Sequence, residues 1–119
     1  MSYLTYVVRM SPKDKPRVWL HGEVTTPPLT REARIEAGFL LRRLQRGDRV
    51  GMPYSRPMPS IEKRRHELRI LDEDQTWRLV YRIDSDAIVI LDVILQKTAQ
   101  TPRKVIAACR RRLSVYDAM

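Results

Sequence analysis

Apolar and polar positions alternate in two different rhythms along this chain, and the change of rhythm near residue 64 divides the reading. Before it, apolar residues at Ala33, Ala37, Leu40, Leu41 and Leu44 recur at helical spacing. Thr30 is an N-cap candidate, Glu32 places an acid in the first turn, and Gly47 stops the helix near Arg46. One face of this helix is expected in the core, while Arg31, Arg34, Arg42 and Arg43 line the other. Upstream, Arg17–Leu20 reads as a short strand, Leu4–Arg9 as a further candidate strand, and Thr25–Leu29 as an extended connection stiffened by Pro27 and Pro28. Gly51–Ser60 carries three prolines and reads as a loop.

From Arg65 the period becomes that of strands. Arg65–Leu71, Thr76–Asp84 and Ala87–Gln96 are separated by the polar turn Asp72–Gln75 and by Ser85-Asp86, so an antiparallel meander is expected. The third segment, AIVILDVILQ, is apolar on both faces, as in a central strand covered on both sides. Thr101-Pro102 then suggests a helix start, with the hydroxyl as cap and proline at the first helical position. The helix is expected to run to about Tyr116, with Val105, Cys109 and Leu113 on its buried stripe. The fold class is therefore α+β: a meander sheet packed with an N-terminal-half helix and a C-terminal helix. With 119 residues and no linker, residues 1–119 form a single domain, of which residues 1–15 are a candidate extension.

Charge changes this picture most. Lys and Arg number 23 against 14 Asp and Glu, a net charge of +9, which points to a polyanionic partner, nucleic acid first. A generally basic solvated surface is the plain alternative. The single cysteine, Cys109, forbids an intrachain disulfide and suits a reducing cytoplasm. The N-terminal apolar run is too short for a signal or membrane segment, so no membrane association is expected. His21, His66 and the scattered acids lack metal-ligand spacing, and no phosphate-binding glycine loop exists, so neither metal nor cofactor is expected.

Strand alternation sorts the basic residues. Glu67 and Arg69 share one face of the first meander strand, with His66, Leu68 and Ile70 on the other. Arg78, Val80, Arg82 and Asp84 oppose Trp77, Leu79, Tyr81 and Ile83 on the second. Paired strands would then gather Arg69, Arg78 and Arg82 into a positive face, edged by Glu67 and closed by Lys97. Such a cluster is costly unless an anion sits on it, although an outer face neutralised by Glu67 and Asp84 is an equal reading.

These residues also carry a resemblance. Glu67-Leu68-Arg69, then Trp77-Arg78-Leu79-Val80-Tyr81-Arg82, then Lys97-Thr98-Ala99-Gln100-Thr101-Pro102, and finally Arg111-Arg112-Leu113-Ser114-Val115-Tyr116, stand in the order and spacing of one family. From about Arg17 to Tyr116 the chain resembles the phage-derived branch of the RelE/HigB-like toxins. The resemblance implies a ribosome-dependent endoribonuclease acting on messenger RNA and a cognate antitoxin, often a helix-turn-helix protein. One departure is that the family commonly shows two lysines where this chain has Lys97-Thr98.

The chemistry asked of such a site needs no metal, because the RNA 2′-OH attacks the adjacent phosphate. The protein must align that attack and stabilise the charge that develops. Arg78 and Arg69 are the candidates for the scissile phosphate, supported by Arg82 and Lys97. Glu67 is either a base for the 2′-OH or a structural counterion. His66 titrates near neutrality, but alternation turns it from this face. Lys63, Arg64, Arg65 and His66, with Arg110 and Arg111, are candidate RNA-binding residues. Asp92 is an unexplained acid in an apolar strand, and Cys109 is expected to be inert. Two other readings stay open: a ParE-like inhibitor of DNA gyrase that cuts nothing, and an inactive phage-related nucleic-acid-binding protein.

Overall fold

The computed structural model describes residues 13–61 and 64–119. The candidate strand Leu4–Arg9 and the candidate RNA-binding residue Lys63 lie outside these described residues. In chain order the elements are β1 (Arg17–Trp19), α1 (Arg31–Gln45), β2 (Ser55–Pro57), β3 (Arg65–Asp72), β4 (Gln75–Ile83), β5 (Ile88–Leu95) and α2 (Arg103–Asp117). The five strands form one sheet in the order β1-β5-β4-β3-β2, antiparallel except for β1 against β5. The architecture is α+β, with the expected meander at its centre.

The meander is flanked by two short strands. β1 is where its apolar pattern places it, and it lies parallel to β5. β2 corrects the reading of Gly51–Ser60 as a loop throughout: Ser55, Arg56 and Pro57 pair with Leu68, Glu67 and His66. Three prolines hide the strand, yet proline is tolerated at a sheet edge, where one side of the backbone has no partner.

α1 forms for the reasons its sequence suggests. The Thr30 hydroxyl accepts a hydrogen bond from the Ala33 amide at 3.1 Å. At the other end Gly47 adopts φ 90°, and the Gly47 and Asp48 amides close back onto the carbonyls of Leu44 and Arg43, a Schellman ending that only glycine makes without strain. Ala33, Ala37, Leu40, Leu41 and Leu44 are buried with Leu68, Ile70, Leu79, Tyr81, Ile88 and Ile90, which fixes α1 on one sheet face. Truncating any of these leucines to alanine would cost about 2–5 kcal/mol. The β3–β4 hairpin is stitched to this helix by Asp72, whose carboxylate accepts from the Thr30 amide at 3.1 Å and from Trp77 Nε1 at 2.9 Å.

α2 covers the opposite face. Cys109 and Leu113 are buried there with Met58, Ile61, Val80, Val89 and Leu91. A bulge in β5 makes this second core possible. Val80 pairs with Asp92 and Tyr81 with Ile90, leaving Leu91 extra. Leu91 and Asp92 therefore both turn toward α2, and Val93 returns to the α1 side. This accounts for the acid in an apolar strand. Arg112 of α2 donates to the Leu91 carbonyl at 3.0 Å and to Asp92 Oδ2 at 3.1 Å, answering both groups that the bulge exposes.

Candidate functional site

The α2 side of the sheet carries a row of arginines. Antiparallel register sets Arg69 opposite Arg78, Arg65 opposite Arg82, and Arg56 opposite Glu67. Directly opposed like charges destabilise a sheet unless something neutralises them. Carboxylates do so here at two places.

The first is Glu67, fully buried, which accepts from Arg56 Nε and lies 3.3 Å from Arg78 Nε through its other oxygen. Arg78 is itself 1% exposed. Its Nη2 donates to the Ala99 carbonyl at 2.8 Å and its Nη1 to Thr101 Oγ1 at 3.1 Å. Burial draws its pKa below the ordinary arginine value, Glu67 opposes that pull, and Arg56 and Arg69 add to it. The second place is the far end of β4. There Arg82 donates to Asp117 at 2.8 Å and to Asp84 at 2.8 Å, and its guanidinium lies 5.8 Å from the Tyr116 ring centroid. The bond with Asp117 raises the Arg82 pKa and lowers that of Asp117.

Two expectations are corrected here. The Arg69/Arg78/Arg82 face is not an open surface: α2 and the Lys97–Pro102 connector cover Arg78 and Arg82, because the strands that carry them are central and apolar enough to need covering on both sides. Thr101 does not cap α2 either. Pro102 is the capping position, without a side-chain bond, and the Thr101 hydroxyl serves Arg78 instead.

Of the remaining candidates, Arg69 is half-buried and donates to Gln96 at 3.3 Å, and Lys97 is exposed on the connector. Arg64 is exposed at φ 68°, whereas Arg65 is fully buried under α2 and offers RNA no surface. His66 lies on the α1 side, its ring 5.6 Å from that of Tyr81 and stacked on it. Its pKa is lowered by burial first, with the Arg64 backbone opposing and the Arg65 charge assisting. The Tyr81 hydroxyl bonds Ser55 at 2.5 Å, so the β5 bulge leaves this tyrosine in the core. Arg110 binds the carbonyls of Ser60 and Ile61 and so anchors α2 to the segment after β2. Arg111 is exposed, near an apolar hollow lined by Leu20, Val115 and Tyr116.

Arg56 was missed by the sequence reading. It sits in the proline-rich segment, and its only signal is an arginine placed to pair with a glutamate once β2 is recognised. It opens onto a cleft of about 500 Å³ between Arg56–Ser60 and Ala99–Ile106, whose lining includes Ser60, Gln100, Thr101 and Arg103. Among the described residues, no three His, Cys, Asp or Glu side chains are placed to hold a metal ion, and no helix is long and apolar enough to cross a membrane.

A basic α+β domain with an arginine-lined sheet face, locked by a C-terminal helix, is the class these features define. Residues 28–114 match the model of the family described as phage derived protein Gp49-like (DUF891), and the chain belongs to that family, a toxin-like family of toxin–antitoxin systems. No curated protein sequence matches it.

Proposed function

We propose that this chain is the toxin of a toxin–antitoxin pair of the RelE/HigB-like kind, a ribosome-dependent endoribonuclease that cuts messenger RNA in the cytoplasm and is silenced by a cognate antitoxin of helix-turn-helix type. The observation that supports it best is the arginine row itself. Arg56 and Arg78 converge on the Glu67 carboxylate and Arg69 stands opposite Arg78, leaving surplus positive charge behind an open cleft that Arg56 lines. Such preorganised charge is what cleavage by the 2′-OH demands, since the developing phosphorane is stabilised by donors already in place. Fold likeness alone would not separate a nuclease from a gyrase inhibitor; the charged site favours the nuclease.

The roles follow from exposure. Arg69 and Lys97 reach the surface and take the scissile phosphate. Arg78, fixed from below by Glu67 and from above by Ala99 and Thr101, sets the geometry of the connector and adds its charge to the face. Glu67 serves two guanidinium groups at once, which favours the counterion role over that of general base. Arg82, committed to Asp84 and Asp117, anchors α2.

The test is induction of the wild-type chain in bacteria, followed by mapping of new 5′ ends on a translated message and on its start-codon-deleted copy. Cuts confined to the translated message, and reduced about 10²–10³-fold by Arg69→Ala or Lys97→Ala, are the expected result. Arg78→Ala abolishes them as well, but it also strands Glu67, so the two surface variants are the ones that decide. Growth arrest without cuts would replace this reading with gyrase inhibition. Neither arrest nor cuts would leave an inactive binding protein.

A further inference from the structure

We propose that the cleft between Arg56–Ser60 and Ala99–Ile106 is a second phosphate site, which holds the RNA backbone next to the bond being cut, with Arg56 and Arg103 as its two guanidinium ligands. The identity of the polyanion as messenger RNA rests on the nuclease reading above; the site itself is argued from its own residues.

Two arginines face this cleft from different elements, Arg56 from β2 and Arg103 from the first turn of α2. The Ser60 and Thr101 residues add hydroxyl groups, and among the described residues no carboxylate belongs to its lining. Glu67 is sealed beneath and grips Arg56 from below. Arg56 keeps a 37% exposed side chain despite that grip, so its outward N–H groups remain available to an anion. Glu67 holds Arg56 and Arg78 on its two oxygens, which ties the cleft rigidly to the cutting site.

The contrast between the two helices supports the same conclusion. α1 begins with a capping threonine and an acid in its first turn. α2 begins with neither, and its first turn is basic, Arg103 followed by Lys104. The positive end of its dipole thus has no acid in its own first turn and lies beside two arginines. The cleft is also braced: Arg110 ties the Ser60 wall to α2. A planar, permanently charged pair in a braced groove fits a phosphodiester, which arginine can grip through paired N–H donors.

Fluorescence anisotropy with a 2′-O-methyl RNA hexamer, which cannot be cut because its attacking hydroxyl is blocked, tests this on the full chain over a range of salt. Each phosphate contact contributes about 0.7 to the slope of log affinity against log salt for a single strand. Arg103→Ala and Arg56→Ala should each lower the slope by about that amount, and Arg56→Lys should restore it. Arg31→Ala, on the far side of the sheet, should leave it unchanged. Arg103 is exposed, so its removal is a test that folding does not confound. Failure of the wild-type chain to bind the hexamer, or unchanged slopes in both alanine variants, overturns the proposal. Binding with the expected slopes but no cutting of translated messages sustains the site and removes the nuclease reading. Cutting with unchanged slopes does the reverse.

Discussion

Thr101 and Arg78 meet where the connector between β5 and α2 crosses the sheet: the threonine hydroxyl accepts a 3.1 Å hydrogen bond from Arg78 Nη1. The same guanidinium reaches the Ala99 carbonyl, so one buried arginine fixes both ends of a three-residue span. The start of α2 is therefore positioned from below by β4 rather than by a cap of its own.

Substitution at Thr101 should distinguish these two jobs. A hydrogen bond to a charged group stabilises by about 1.5–3 kcal/mol, whereas replacing an N-cap threonine by glycine costs only a few tenths. Thr101→Gly and Thr101→Ala should both lose about 1.5–3 kcal/mol in urea denaturation, and Thr101→Ser should recover most of it. A Thr101→Gly variant nearly as stable as wild type would show that the bond to Arg78 contributes nothing.

His66 sets a pH dependence. Its folded pKa lies below the ordinary 6.5 because burial against Tyr81 disfavours the imidazolium. The unfolded chain therefore binds the proton more readily, and stability is complete above pH 6.5 and falls as pH drops through 6.5 toward the folded value. An NMR titration of the ring should give a midpoint under 6.5. Unfolding free energies at pH 7.5 and 5.5 should differ less in His66→Gln than in wild type.

Asp117 contributes in the opposite sense and at lower pH. Its carboxyl is held below 3.8, chiefly by the hydrogen bond from Arg82. Stability from this pair is present above the unfolded value and is lost as pH falls through the folded one. Half of the Asp117 side chain is exposed, so solvent weakens the effect. Asp117→Asn should reduce stability at pH 7 by no more than about 1 kcal/mol and flatten the acid limb of the stability curve below pH 4.

Cys109 gives a chemical probe of α2 docking. Burial, then the nearby Asp92 charge, pushes its thiol up to about 11, with Arg112 opposing. A thiol so placed is almost wholly protonated at pH 8 and sealed from reagents. Ellman's reagent should leave the native protein unlabelled at pH 8 and react promptly once urea unfolds it. Fast labelling of the native protein would mean that α2 lifts from the sheet.

Much of the fold was legible because local signals agreed with one another. Thr30, Gly47 and five apolar residues bound α1 on capping, stop and periodicity together, and the meander followed from alternation and short connections. β2 escaped because Pro57 and its neighbours signal a loop, and only Leu68, Glu67 and His66, distant in sequence, make it a strand. The site was legible in part. Alternation sorted Glu67, Arg69, Arg78 and Arg82 onto one face correctly, but alternation cannot say what covers a face. A helix that reads as amphipathic can dock on either side of the sheet, and the side that α2 chose put Arg78 and Arg82 out of reach of solvent. Arg56 was invisible until its strand was.

The parallel pairing of β1 with β5 bears on the order of assembly. Everything else in the sheet lies between these two strands in sequence, so their contact closes the largest loop in the sheet and is expected to form late. The hairpin of β3 and β4, by contrast, is local and can form as soon as it leaves the ribosome. Its arginines then stand uncovered until α2 is made and Asp117 reaches Arg82. A nascent chain thus carries its arginine face exposed beside ribosomal RNA, and a partner that engages the sheet during synthesis meets a different surface from one that engages the finished protein.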